Sequence, residues 1–117
     1  MMRNQPYVHL RERAKVEALA ELFSDKARWT KGAFARDADG VLLRSDEETL
    51  AVSWCFVGGI NHCGIVHDAN FLFEVQTLLY GADTFIDLND GRDGYRRVQR
   101  VIRETLRLDA EQARIRQ

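Results

Sequence analysis

The sequence predicts a mainly α-helical fold: a compact single domain of about four helices with a small β-hairpin, packed on a central buried helix. Three observations lead there. Leu50 to Ile60 is a run of eleven residues without a charge, in which Ser53 is the single hydroxyl. Apolar residues recur at helical spacing before and after this run, and in the last stretch arginines occupy the opposite side. Asp39-Gly40, with Phe34 before it and Val41 and Leu43 after it at strand spacing, signals a two-residue hairpin turn.

Taken in order, residues 1–9 read as a loose lead-in. Val16, Leu19, Ala20 and Phe23 stand at i, i+3, i+4 and i+7 and predict a first helix from Leu10 to about Ser24. The hairpin follows over Ala33 to Leu43, and it needs the helices beneath it, because two strands alone are barely stable. Ser45-Asp46-Glu47-Glu48 fits the Ser-x-x-Glu capping box and predicts a central helix from Asp46 to Ile60. Its wheel places Leu50, Trp54 and Val57 on one face and Ala51, Cys55, Gly58 and Gly59 on a small-residue face. Val52, Phe56 and Ile60 complete a helix that is apolar all round, which is the pattern of a buried one.

Asn61 to Asp68 reads as a polar loop, and Asp68 or Asn70 can cap a third helix carrying Phe71, Leu72, Val75, Leu78 and Leu79, with Gly81 placed to end it. Thr84 to Leu88 is compatible with an extended segment or a single turn. Asn89 to Gly94 reads as a tight polar turn with Asp90 or Asp93 as the next cap. The last helix, about Gly94 to Leu108, turns Val98, Val101, Ile102, Thr105 and Leu106 inward and Arg96, Arg100, Arg103 and Arg107 outward. The tail 109–117 either extends that helix or frays.

Composition excludes several classes. At 117 residues with 45% hydrophobic and 30% charged side chains, the chain can bury roughly two-thirds of its unfolded surface in one core. No run outside the central helix approaches the length needed to span a bilayer, and the opening Met-Met-Arg-Asn-Gln-Pro lacks a signal-peptide core. Two cysteines do not make a disulfide framework, so a reducing cytoplasm is expected. The net charge of −1 conceals an asymmetry: residues 1–90 carry 9 basic and 14 acidic side chains, residues 91–117 carry 8 and 4. A basic end is thus joined to an acidic body.

Four stretches together resemble one family. Leu19 to Gly32, ending Trp-Thr-Lys-Gly, is similar to a first helix followed by a Gly-Trp-Thr-Gln-Gly type turn. Ala33 to Gly40 resembles an aromatic, Arg-Asp and Asp-Gly hairpin, and Trp54 to Ile60 a Trp-Cys-x-x-Gly-Ala-Leu helix. Asn89-Asp90 with Gly91-Arg92, ahead of Val98 and Val101, is similar to a Trp-Asn-Asp, Gly-Arg-Thr ending. The family consists of small bacterial and phage proteins classed as a domain of unknown function, and the resemblance covers about Ala18 to Leu106. Leu88 stands where Trp is usual, Gly59 where Ala is usual, and the Asn-Asp to Gly-Arg spacing is shorter. The resemblance implies a fold and a bacterial or phage setting, and no activity.

Among residues able to carry chemistry, Cys55 with His62 or His67 and Asn89 or Asp90 has the chain order of a thiol hydrolase, with Cys55, His67 and Asp90 as nucleophile, base and orienting acid. A cysteine in mid-helix on a small-residue face fits a core hydrophobe better. Cys55, His62, Cys63 and His67 offer a zinc-type ligand set, but no Cys-x-x-Cys is present and His62 abuts Cys63, so no metal and no cofactor is expected. Gly58-Gly59 lacks the lysine and hydroxyl of a phosphate loop and reads as close packing. The arginine stripe, with Arg92 and Arg97 beside it, suits either phosphates or an acidic protein surface, and is otherwise a plain solvated helix face. No motif of specific nucleic-acid reading accompanies it. The expectation is a small binding or regulatory protein that contacts another protein through Arg92, Arg96, Arg97, Arg100, Arg103 and Arg107. The alternatives are a thiol enzyme built on Cys55 and a homo-oligomeric structural protein.

Overall fold

The computed structural model describes residues 10–65, 67–79 and 82–116. The sequence expectations for the lead-in 1–9 and for Gly81 as a helix stop lie outside them.

Helix α1 spans Arg13–Leu22 and buries Val16 and Leu19, with Phe23 buried just past its end. It has no acidic residue in its own first turn. The backbone N–H groups leading into it donate instead to distant carboxylates: Leu10 N to Asp109 Oδ1 (2.8 Å), and Arg11 N and Glu12 N to Asp68 Oδ2 (3.1 and 3.0 Å). Negative charge at this end also suits the helix dipole. A 3₁₀ turn over Lys26–Arg28, capped by Asp25, then delivers Trp29.

Strands β1 (Ala35–Arg36) and β2 (Leu42–Leu43) form the expected antiparallel hairpin, with Ala35 opposite Leu43. Its turn is longer than two residues. Asp37 N donates to the Val41 carbonyl and Gly40 N to the Asp37 carbonyl, while Gly40 takes φ +81°; this is a three-residue loop closed by a left-handed glycine. Asp37 Oδ1 accepts from Asp39 N and Val41 N, which explains why the loop begins one residue earlier than Asp39-Gly40 implies.

The predicted helix Asp46 to Ile60 is replaced by three elements. Ser45–Leu50 is a 3₁₀ helix kinked at Glu47, Ser53–Trp54 is strand β3, and only Phe56–His62 forms an α-helix, α2. The acids do start a helical turn, where Arg44 N donates to Glu47 Oε1. Beyond it β1 offers a better place for the backbone: Val52 N donates to the Arg36 carbonyl and Cys55 N to the Phe34 carbonyl, at 2.9 and 3.0 Å. The sheet order is therefore β2-β1-β3. Leu50 and Val52 are exposed, not core. Cys55 lies at the N-cap of α2, not in mid-helix.

Helix α3 (Ala69–Thr77) is capped by Asp68, whose Oδ1 accepts from Phe71 N, and buries Phe71, Glu74 and Val75. Thr84 to Leu88, open to either reading in the sequence, lies in helix α4 (Phe85–Asp90), with Thr84 Oγ1 accepting from Asp87 N at 3.0 Å. The polar turn expected over Asn89 to Gly94 shrinks accordingly, since Asn89 and Asp90 close α4. Helix α5 runs from Gly94 to Arg116, so the tail described through Arg116 is helical. A Cβ on Gly94 would stand 1.9 Å from the Asn89 carbonyl oxygen, which is how tightly α5 abuts the end of α4.

The fold is mainly α with a small antiparallel sheet, but its organising rod is α5, which packs against α1, α3 and α4. Val98, Val101, Ile102 and Thr105 form its buried face and meet Leu19, Phe23, Phe56, Ile65, Phe71 and Leu88 in one core. The two glycines of α2 are packed within this chain, Gly58 against the Phe34 backbone and Gly59 against the Phe23 ring, as the close-packing reading requires.

Candidate functional site

Two surfaces stand out. The first is the outer face of α5. At 100° per residue Arg96, Arg100, Arg103 and Arg107 fall within about 60° of one another, opposite Thr105. All four are exposed, and Thr105 is fully buried. Arg114, paired with Glu111, continues the row about two turns on from Arg107. Arg97, half-buried, stands about a quarter turn away from the row, and Arg92 is exposed in the turn before the helix. The structure thus gathers four of the six predicted arginines into one stripe.

Acidic residues flank the stripe without interrupting it. Glu104 accepts from Arg107, and this hydrogen bond holds the Glu104 carboxyl below the usual carboxylate range and the Arg107 guanidinium firmly charged. Arg13 of α1 adds a further guanidinium, bonded to Asp109 Oδ2 at 2.7 Å and to the Leu106 carbonyl at 3.2 Å. Arg96 and Arg103 form no ion pair with the described residues. A shallow depression of about 560 Å³ runs between Arg13, Arg100, Arg103 and Arg107.

The second surface is a cleft of about 290 Å³ where segment 32–34, just ahead of β1, meets α2 and α4, with Phe34, Val57 and Ile86 as walls and Cys55, Asn89 and Asp90 as its polar part. Asn89 is the connector that holds these segments together. Its Oδ1 accepts from Trp29 Nε1 (2.7 Å) and Phe56 N (2.9 Å); its Nδ2 donates to the Thr30 carbonyl (3.0 Å) and to Asp90 Oδ1 (2.8 Å). Every donor and acceptor of the amide that this arrangement can use is engaged. Sequence reading placed Asn89 in a turn and missed this role. The available signal was its i, i+4 relation to Phe85, which puts both on the inward side once 84–90 is read as a helix.

Cys55 is 8% exposed, and its Sγ accepts from Gly58 N at 3.3 Å. Burial pushes its thiol pKa up, the Gly58 and Val57 amides pull it down, and the Asp90 charge adds to the rise. Cys55 and Asp90 share the cleft, whereas His67 is exposed on the loop before α3 and is no part of that lining. His62 is likewise turned elsewhere: its Nδ1 contacts Glu48, and its ring lies on Trp54 with centroids 4.4 Å apart. Cys63, half-buried beside Glu48, has its thiol pushed up to about 11 by burial first and that charge second. Among the described residues, no three of His, Cys, Asp and Glu converge as a metal site, so Cys55, His62, Cys63 and His67 do not form one. No described helix is long and apolar enough to cross a membrane.

No family model, curated protein or solved structure matches the chain.

Proposed function

We propose that this is a small binding or regulatory protein, of bacterial or phage type and cytoplasmic, that docks by α5 onto an acidic surface of another protein. The observation that carries the reading is the position of Arg96, Arg100, Arg103 and Arg107: all exposed, on one side, and opposite the face that α5 uses to hold the fold together. Such a stripe takes no part in the buried core and is therefore open to an interaction. From Arg96 to Arg114 it extends over about 27 Å at 1.5 Å per residue, a length suited to a row of acids on a partner. Docking of this kind is electrostatic complementarity, which sets association rate and orientation and weakens as salt rises. No observation favours the thiol-enzyme reading over it, since neither histidine described near α2 and α3 faces Cys55.

The test is affinity capture from bacterial lysate with two baits, the natural protein and the triple variant Arg96→Glu, Arg100→Glu, Arg103→Glu. A partner should be retained by the natural bait at low salt, released at high salt, and bound more than about tenfold more weakly by the variant, as about 0.5 kcal/mol for each reversed charge implies. The variant should melt like its parent, because these side chains lie outside the core. Equal capture by both baits refutes the proposal.

A further inference from the structure

The geometry points to the cleft between segment 32–34, α2 and α4 as a binding site for a small organic cation, an ammonium group carried on a compact apolar body. The site contains no residue of α5 and is independent of the arginine stripe. Its volume of about 290 Å³ lies at the lower end of the range for ligand pockets, so a small molecule fits where a chain segment does not. The walls set the body of the ligand: Phe34, Val57 and Ile86 are apolar, and Ile86 is held 58% exposed at the rim.

The polar end sets its charge. Asn89 is saturated by its four hydrogen bonds, and the Cys55 sulfur already accepts from Gly58 N. Asp90 is different. Its Oδ1 accepts from Gly32 N (3.1 Å) and Asn89 Nδ2 (2.8 Å), both uncharged donors, and its Oδ2 takes no hydrogen bond among the described residues. No cation among those residues pairs with it. Asp90 is exposed where it lines the cleft; the two bonds to Oδ1 orient its carboxylate, and an unneutralised charge beside apolar walls favours a cation and disfavours an anion.

The experiment is an amide chemical-shift titration of the whole protein with three probes of the same shape: 2-phenylethylammonium, 2-phenylethanol and phenylacetate. The ammonium should give saturable shifts at Val57, Ile86 and Asp90, the alcohol should bind at least about tenfold more weakly, as loss of a charged hydrogen bond implies, and phenylacetate should give none. Asp90→Asn keeps an oxygen for Gly32 N and Asn89, and should abolish the preference for ammonium over alcohol. Ile86→Trp, at an exposed position, should block the ammonium and the alcohol without lowering the melting temperature, and it serves where Asp90→Asn fails to fold. Equal binding of ammonium and alcohol, no binding of the ammonium, shifts confined to other surfaces, or an Asp90→Asn variant that keeps the preference each overturns the inference.

Discussion

Replacing Asn89 by alanine removes four hydrogen bonds at once and leaves three buried or half-buried groups without this partner: the Phe56 N–H, the Trp29 indole N–H and the Thr30 carbonyl. At about 0.5–1.5 kcal/mol for each bond, the loss is about 4 kcal/mol, centred in a range of about 2–6. A protein of 117 residues has a total stability of about 6–18 kcal/mol. The variant should therefore fold but with a large part of its margin gone. In urea, with a slope of about 2 kcal/mol per molar, the midpoint should fall by about 2 M. Asn89→Asp should be worse, because the new carboxylate oxygen would face both the Thr30 carbonyl and the Asp90 carboxylate. Asn61→Ala on the exposed side of α2 is the matched control and should change stability by less than about 0.5 kcal/mol. The Trp29 indole proton provides a local check, since it should shift and exchange faster in Asn89→Ala. A loss below about 1 kcal/mol with an unchanged slope would show that Asn89 does not hold α4 to α2 and the Trp29 segment.

Three other outcomes follow from particular contacts. Glu74 is 1% exposed with no hydrogen bond to Oε2, and burial, with the Glu104 charge second, raises its pKa. Between the unfolded Glu value of about 4.3 and that raised folded value the native state holds the extra proton, so stability falls as pH rises through this window; Glu74→Met should stabilise by about 1–3 kcal/mol at neutral pH, less at pH 4, in urea titrations at both pH values. A Cβ on Gly59 would lie 2.6 Å from the Phe23 ring, whereas on Gly58 it would lie 2.3 Å from the Phe34 carbonyl oxygen. A ring can yield more easily than a strand backbone, so thermal melts should give Gly59→Ala a cost of about 1–3 kcal/mol and Gly58→Ala a larger one. Iodoacetamide at pH 7 should label Cys55 in the folded protein at least about tenfold more slowly than in urea, since thiolate fraction and access both limit the rate; equal rates would contradict the burial of this thiol.

The helices with a single apolar face were legible because the same residues that set the period also set the burial. Val16, Leu19 and Phe23, Phe71 and Val75, and Val98, Val101 and Ile102 all point inward as their spacing requires. The arginine stripe was legible for the same reason, being the complement of the α5 core face. The stretch from Asp46 to Ile60 was not, because a short uncharged run satisfies a buried helix and a buried strand equally well. What decides it is the free edge of β1, whose Arg36 and Phe34 carbonyls stand some twenty residues earlier in the chain. Asn89 and the cleft were hidden for a related reason. Their partners come from residues 29–34, 55–57 and 86–90, and no local pattern records that these three segments meet.

The start of α1 has a consequence for the order in which the chain becomes secure. Three successive amides, Leu10, Arg11 and Glu12, are received by Asp109 and Asp68, and Arg13 is tied to Asp109 as well. Asp68 simultaneously begins α3 through Phe71 N, so the first turns of the two helices open and close as one unit, and the amides of Glu12 and Phe71 should exchange together. During synthesis the residues of α1 leave the ribosome before either acid has been made. The first helix of the described residues is thus the last to be fastened, and it waits on a carboxylate 99 residues downstream of the amide it receives.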